Sequence, residues 1–151
     1  MTVGIVGLGL IGGSFAKAYH EAGATVLAWN RSRSVLDFAI MSGAVDAELT
    51  EDNIAACDLV LIALYPEATI EWFRRMAPHI GAHPVVLDCG GTKRTICAAC
   101  FPIAKEHGVT FLGGHPMAGT QYSGFKNAKA TMYHGAPMVI VPPDFDDVLL
   151  F

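Results

Sequence analysis

The sequence lacks a long apolar run and a concentration of basic residues. A membrane-spanning helix needs about 20 consecutive apolar residues, and no run within these 151 residues approaches that length. No basic segment followed by an apolar one marks a secretory leader. The formal net charge is −4, which argues against nucleic acid as the main partner, because nucleic acids are bound by basic surfaces. We therefore expect a cytoplasmic protein that binds neither a membrane nor a nucleic acid.

Cysteine is scarce as well, with four residues at positions 57, 89, 97 and 100. Four cysteines do not make a disulfide framework in a chain with intracellular features. Cys97 and Cys100 have the C-x-x-C spacing of redox and zinc sites, but they fall inside a predicted amphipathic helix with no further ligand evident beside them. We predict that both are small buried hydrophobic side chains and that the chain holds no metal site.

Strands and helices alternate along the chain with short connections and no repeats. Apolar residues make up 52% of the composition and charged residues 16%, which suits one well-packed domain of this length. Apolar and β-branched runs predict strands at 3–6, 25–29, 58–65, 84–88, 109–112 and 137–141, with a short strand within 45–49. Helical periodicity predicts helices after the first strand, over 34–42, after Pro66 and over 93–107. This alternation predicts an α/β fold with a doubly wound, mostly parallel Rossmann-type sheet.

The first predicted strand leads into a Gly-x-Gly-x-x-Gly motif, the order of a dinucleotide-binding fingerprint. Gly7 allows a tight turn, Gly9 lets the backbone approach a pyrophosphate, and Gly12 lets the next helix lie close to the strand. The free N–H groups of that helix then face the phosphates. A loop that only needs positive φ is the alternative, but the flanking strand and helix favour the cofactor. The predicted cofactor-binding residues of this motif are Gly7, Leu8, Gly9, Leu10, Ile11 and Gly12.

The second predicted strand ends in Asn30-Arg31-Ser32-Arg33. In NAD-binding units an acidic residue about 20 positions after the glycines holds the ribose 2′-hydroxyl, and Asn30 takes that place here. A carboxylate repels a 2′-phosphate, whereas Arg31 and Arg33 can pair with one. The alternative is that both arginines are simply solvated. We predict that Asn30, Arg31 and Ser32 bind the cofactor and that NADP is favoured over NAD.

Ligands of doubly wound sheets bind beyond the carboxyl ends of the strands. Three further strand exits are therefore expected to line one crevice with the glycine loop. Strand-flanking aspartates such as Asp58 and Asp88 more often serve turns than catalysis. At two of these exits the residues assigned to the cofactor are Leu64, Tyr65, Pro66 and Asp88.

His115 is the only one of six histidines that follows a strand at this edge. Pro116 favours an extended backbone at His115, and the surrounding glycines permit close approach of a ligand. A structural histidine is the usual alternative in a loop, but a position beside a nicotinamide favours chemistry. Lys93 opens a helix and is expected to contact substrate or cofactor, with an exposed helix-start lysine as the alternative.

Three motifs together resemble one enzyme family. The glycine motif at 7–12, Asp88-x-x-x-x-Lys93 and Gly-His-Pro-Met-Ala-Gly at 114–119 are similar to those of the prephenate and arogenate dehydrogenases of tyrosine biosynthesis. The likeness covers nearly all of the chain, and the third motif is the most specific. The resemblance implies NAD(P)-dependent oxidative decarboxylation of prephenate to 4-hydroxyphenylpyruvate, or of arogenate to tyrosine. It leaves the choice between the two substrates open.

The resemblance also assigns catalytic roles. It makes His115 the catalytic histidine, which accepts the hydrogen bond of the substrate hydroxyl, and a neutral imidazole suits that task. Many relatives carry a serine where Gly91 stands, so Thr92 is expected to take over its role. His115, Thr92 and Lys93 form the predicted catalytic set.

The resemblance further implies that residues 1–143 are the NAD(P)-binding domain and that 144–151 begin a helical substrate and dimerisation domain. The full-length enzyme is then expected to be a homodimer, and this chain alone weakly active or inactive. Two other classes share the glycine loop. Dehydrogenases of the 3-hydroxyacid or 6-phosphogluconate type use a lysine on a later domain, and the His-Pro-Met element does not suit them. A non-catalytic dinucleotide-binding sensor would need no histidine at a strand exit.

Overall fold

The computed structural model describes residues 1–144, so the predicted start of a second domain at 144–151 lies outside this range except for its first residue. Seven strands and four α-helices alternate along the described chain. The strands are β1 (Thr2–Val6), β2 (Thr25–Trp29), β3 (Ala47–Glu48), β4 (Leu59–Ile62), β5 (Val85–Asp88), β6 (Thr110–Pro116) and β7 (Met138–Val141). The helices are α1 (Leu10–Glu21), α2 (Arg33–Met41), α3 (Pro66–Ile80) and α4 (Arg94–His107), with 3₁₀ turns at Ile54–Ala56 and Phe125–Asn127.

The strands form one sheet in the order β3-β2-β1-β4-β5-β6-β7. Neighbouring strands are parallel except β6 and β7, which pair antiparallel. The chain moves outward from β1 to β3 and then returns to place β4 on the other side of β1. Such a reversal opens a crevice at the carboxyl ends of β1 and β4, where ligands of doubly wound folds bind. The predicted α/β, mostly parallel Rossmann-type sheet is confirmed.

Apolar side chains alternate between the two faces of the sheet and pack under different helices. Val60 of β4 belongs to a buried cluster with α3 and α4, whereas its neighbour Leu61 belongs to one with α1 and α2. Because both faces are covered, the central strands read as near-continuous apolar runs. No helix within residues 1–144 is long and apolar enough to cross a membrane.

Two strands differ in length from their predictions. β4 ends at Ile62 rather than at position 65, because the chain turns there and Pro66, which lacks an amide hydrogen, takes the first position of α3. β6 continues to Pro116 rather than ending at position 112, because β7 pairs with its second half. His115 therefore lies in a strand, opposite Val139, and not in a loop as predicted.

Candidate functional site

The loop between β1 and α1 packs so tightly that two of its glycines admit no side chain. Gly7 has a φ of +91°, and a Cβ atom there would lie 2.6 Å from the carbonyl oxygen of Ala63. A Cβ atom at Gly12 would lie 1.8 Å from the carbonyl oxygen of Gly7. Nothing lies within 4 Å of the point that a Cβ atom of Gly9 would occupy. The backbone at Gly9 is therefore open to close approach by a ligand.

The first turn of α1 presents amide hydrogens next to this open space. α1 begins at Leu10, its N-cap residue Gly9 supplies no side-chain cap, and no acidic residue lies in its first turn. The N–H groups of a first helical turn have no partner within the helix, and the helix dipole adds positive potential. The arrangement fits the diphosphate of a dinucleotide, which is anionic and accepts hydrogen bonds.

Asn30 ties the end of β2 to the glycine loop. Its Oδ1 accepts a hydrogen bond from the N–H of Leu8 at 2.9 Å, and its Nδ2 donates to the carbonyl oxygen of Ser32 at 3.1 Å. The side chain of Asn30 is thus used within the protein, where it shapes the turn that presents Arg31 and Ser32. Arg31 is exposed, and it makes no ion pair within residues 1–144.

Arg33, unlike Arg31, is paired within the described part of the protein. Its guanidinium forms ion pairs with Asp37 at 2.9 Å and with Glu48 at 2.8 Å. The hydrogen bond to Glu48 raises the pKa of Arg33 above its usual range. Because Arg33 already has two carboxylate partners, Arg31 is the better placed of the two to meet an added phosphate.

The exit of β4 lies directly beside the glycine loop. Cδ2 of Leu64 is 2.7 Å from the point that a Cβ atom of Gly7 would occupy. Tyr65 is 88% exposed, and Pro66 opens α3. The structure thus gathers this predicted cofactor segment at the rim of the crevice.

Asp88 ends β5 and has no exposed surface. Its Oδ1 accepts a hydrogen bond from the N–H of Gly114 at 3.0 Å, and its Oδ2 accepts one from the N–H of Gly90 at 3.1 Å. Nζ of Lys93 donates to Asp88 Oδ2 and to the carbonyl oxygen of Gly114. Both charged side chains are thus bonded to each other and to the backbone, and their predicted contacts with cofactor or substrate stay predictions.

The imidazole of His115 is held by a backbone group. Its Nδ1 lies 3.1 Å from the carbonyl oxygen of Gly90. A carbonyl oxygen only accepts hydrogen bonds, so a neutral His115 carries its proton on Nδ1. Nε2 then has a free lone pair, which can accept a proton or a hydrogen bond. The site therefore contains a half-buried base of fixed tautomer.

Gly91 lies beside this ring. A Cβ atom there would be 3.9 Å from Cε1 of His115, an ordinary van der Waals distance. A serine at this position would therefore bring a hydroxyl close to the imidazole. Thr92 follows Gly91 and is exposed, and a contact between its hydroxyl and His115 stays a prediction.

Comparisons with known proteins show the family of this chain. Residues 15–149 match the family model described as prephenate dehydrogenase, nucleotide-binding domain. The chain belongs to this family. Among curated proteins, the prephenate dehydrogenase of Bacillus subtilis (strain 168) is 29% identical over 146 residues, which are 93% of this chain and 39% of that protein.

Solved structures of the prephenate dehydrogenase family show the same fold. The arogenate dehydrogenase of Synechocystis superposes with a TM-score of 0.88 at 25% identity, and the match includes 99% of this chain and 53% of the Synechocystis chain. A second match is the prephenate dehydrogenase of Aquifex aeolicus in complex with hydroxyphenyl propionate and NAD+. It has a TM-score of 0.75 at 25% identity, and the match includes 95% of this chain and 51% of the Aquifex chain. The present chain thus spans about half the length of these structures, and less of the Bacillus protein.

Two features of this nucleotide-binding domain were not predicted from the sequence. They are the hydrogen bond between the Gly90 carbonyl and His115 and the hydrogen bond between Asp88 and the N–H of Gly114. Each involves a backbone group, so no pair of side chains in the sequence indicates it. The glycine pairs at 90–91 and 113–114 were the available signal. A Cβ atom at Gly114 would lie 2.4 Å from the carbonyl oxygen of Asp88, so the glycine is required by the contact itself.

The four thiols of the domain are all buried. Burial raises the pKa of Cys57 to about 11 and the pKa values of Cys89 and Cys100 to about 12. Cys97 and Cys100 are buried on α4, as the sequence predicts. Within residues 1–144, no group of three or more His, Cys, Asp or Glu side chains is placed to hold a metal ion.

Proposed function

We propose that this chain is the NADP-binding half of a cytoplasmic prephenate or arogenate dehydrogenase that acts in tyrosine biosynthesis. The central support is the hydrogen bond between Gly90 and His115, which leaves Nε2 of His115 as an acceptor. The second support is the loop at Gly9, whose open backbone and uncapped helix suit a diphosphate. Membership in the family joins these two features to one reaction.

The reaction is an oxidative decarboxylation. A bound nicotinamide supplies the hydride acceptor. The carbinol carbon of the ring loses hydride, the bond to the ring carboxylate breaks, and its electron pair makes the ring aromatic while carbon dioxide leaves. As the hydride departs, the hydroxyl becomes acidic, and Nε2 of His115 accepts its hydrogen bond or proton. That proton then returns to the phenolic oxygen of the product. While the proton is on His115, the Gly90 carbonyl stabilises the imidazole through the hydrogen bond from Nδ1–H.

The cofactor is proposed to be NADP rather than NAD. The glycine loop and the first turn of α1 would hold the diphosphate, and Leu64 to Pro66 would line the same crevice from β4. Arg31 and Ser32 would meet the 2′-phosphate, since Arg31 is cationic and exposed. Asn30 replaces the carboxylate that would repel this phosphate.

The substrate site is proposed to be completed by residues beyond this chain, because the relatives are about twice as long. A helical second domain would supply part of the substrate pocket and the contacts of a homodimer. Residues 1–151 alone should then bind NADP but show absent or very weak turnover.

Titration calorimetry of this chain with NADP+ and NAD+ tests the cofactor half of the proposal. We expect both to bind, with NADP+ the tighter ligand, and little or no release of carbon dioxide when prephenate or arogenate is added. A chain that binds neither dinucleotide contradicts the proposal. Turnover of either substrate by residues 1–151 at about 1–10³ per second, the usual range for enzymes, contradicts the need for a second domain.

A further inference from the structure

We propose that Asp88 and Lys93 are positioning residues that hold His115 in its reactive place and tautomer, and that neither of them touches cofactor or substrate. This inference rests on the proposed function, in which Nε2 of His115 accepts the proton of the substrate. Asp88 is the last residue of β5 and Lys93 immediately precedes α4. Together they bind the backbone of Gly90, which contacts the imidazole, and of Gly114, which precedes His115.

The first support concerns the backbone of β6 next to His115. The parallel ladder between β5 and β6 ends three residues before His115. Beyond that end, both backbone groups of Gly114 are held by side chains. Its N–H donates to Oδ1 of Asp88 at 3.0 Å, and its carbonyl oxygen accepts from Nζ of Lys93. Asp88 and Lys93 therefore supply hydrogen-bond partners to the backbone of Gly114, as β5 does for the residues before it.

The second support concerns the group that sets the tautomer. Oδ2 of Asp88 accepts a hydrogen bond from the N–H of Gly90 at 3.1 Å. The carbonyl oxygen of Gly90 in turn holds Nδ1 of His115 at 3.1 Å. One carboxylate thus fixes both the residue that precedes His115 and the residue that orients its ring.

The third support is burial. Asp88 has no exposed surface, and the side chain of Lys93 is 17% exposed. A buried carboxylate is stable only when it is paired and hydrogen-bonded, and removing one partner of such a pair leaves the other uncompensated. With three donors on its two oxygens, Asp88 has no surface to offer to a ligand.

The tautomer of His115 in this chain tests the proposal without any turnover. NMR of protein carrying ¹⁵N-labelled histidine distinguishes a protonated ring nitrogen from a bare one, and His115→Asn assigns the signals. In the wild-type chain we expect a single neutral tautomer with the proton on Nδ1. In Lys93→Met and Asp88→Asn we expect this single tautomer to be lost and the Nε2–H form to appear.

Asp58→Asn is the matched control. Asp58 is also a strand-flanking carboxylate that accepts a backbone N–H, from Thr2 at 2.7 Å, but it lies at the amino end of β4, whereas Asp88 lies at the carboxyl end of β5. In Asp58→Asn the ring ¹⁵N signals of His115 should therefore be the same as in the wild-type chain. If Asp88→Asn does not fold, Lys93→Met decides the test, with its amide spectrum as the measure of folding. A folded Lys93→Met chain that keeps the single Nδ1–H tautomer overturns the proposal.

Kinetics of the longest native form of the enzyme separate positioning from ligand contact. A displaced imidazole lowers kcat, by up to about 100-fold, and leaves KM for NADP and for the substrate nearly unchanged. A raised KM with an unaltered tautomer would mean that Lys93 contacts a ligand, which contradicts the proposal. Failure of the proposed function itself gives a different result. The wild-type chain would then bind no dinucleotide, whichever tautomer His115 adopts.

Discussion

The carbonyl oxygen of Gly90 lies 3.1 Å from Nδ1 of His115 and determines which nitrogen of that ring is left to accept a proton. The two residues come from neighbouring strands, one just after β5 and the other near the end of β6. A backbone carbonyl cannot donate, so the tautomer is determined by the position of the Gly90 carbonyl and not by a group that could either donate or accept. This relationship gives the proposed base a fixed direction before any substrate arrives.

Replacing His115 by Asn should lower turnover of the full-length enzyme by about 10²–10⁴-fold, the usual contribution of an acid–base group. The affinity for NADP should stay nearly constant, because the imidazole is not proposed to hold the cofactor. Steady-state kinetics and calorimetry measure the two effects. His107→Asn, at the exposed end of α4, is the control and should leave turnover unchanged. Near-normal rates in the His115 variant would remove this residue from the mechanism.

Arg31→Ala should abolish most of the preference for NADP over NAD. A hydrogen bond to a charged group contributes about 1.5–3 kcal/mol, so the affinity for NADP should fall about 10- to 100-fold while that for NAD stays constant. Calorimetric titration of both cofactors measures the difference. Arg33→Ala is the paired control, because Arg33 is already bound to Asp37 and Glu48. An equal effect of the two substitutions, or a wild-type preference for NAD, would be the contrary result.

The family resemblance implies that the hydroxyl of Thr92 takes over the role of a serine. Thr92→Val keeps the shape of the side chain but removes the hydroxyl, and should lower turnover by about 2- to 10-fold, the worth of a neutral hydrogen bond of about 0.5–1.5 kcal/mol. Adding Gly91→Ser should restore the rate, because a Cβ atom at Gly91 would lie 3.9 Å from Cε1 of His115. Thr92 has no catalytic role if the valine variant turns over at the wild-type rate.

The native thiols should resist alkylation at pH 8. Burial raises the pKa of Cys57 to about 11 and those of Cys89 and Cys100 to about 12, so almost none of each is thiolate, the reactive form. All four cysteines are buried, and all four should react once the protein is denatured. Mass spectrometry after iodoacetamide treatment counts the labels. Rapid labelling of Cys97 or Cys100 in the folded chain would contradict their assignment as core residues.

Much of the fold was predictable because its signals are local. The apolar run of β4 and the glycine motif before α1 each identify an element without reference to the rest of the chain. The length of β6 was not predictable in this way. Its second half is a strand because β7 pairs with it antiparallel, and that partner lies more than 20 residues further along the chain.

The candidate site was predictable in its residue types but not in all of their roles. His115 and Arg31 are side chains whose chemistry is evident from the sequence. Asp88 and Lys93 were also identified, but their bonds within the protein were not, since nothing in the sequence indicates that a carboxylate will accept from two backbone N–H groups. Arg31 rather than Arg33 was assigned to the cofactor from the sequence, but the carboxylate partners of Arg33, which lie on α2 and β3, could not be predicted.

Steady-state formation of reduced nicotinamide from prephenate and from arogenate, measured with NADP+ and NAD+ on the longest native form of the protein, tests the central claim most directly. We predict turnover of at least one substrate, faster at low concentration with NADP+, with one carbon dioxide released for each hydride transferred. A protein that binds the dinucleotide but oxidises neither substrate with either cofactor would contradict the assignment.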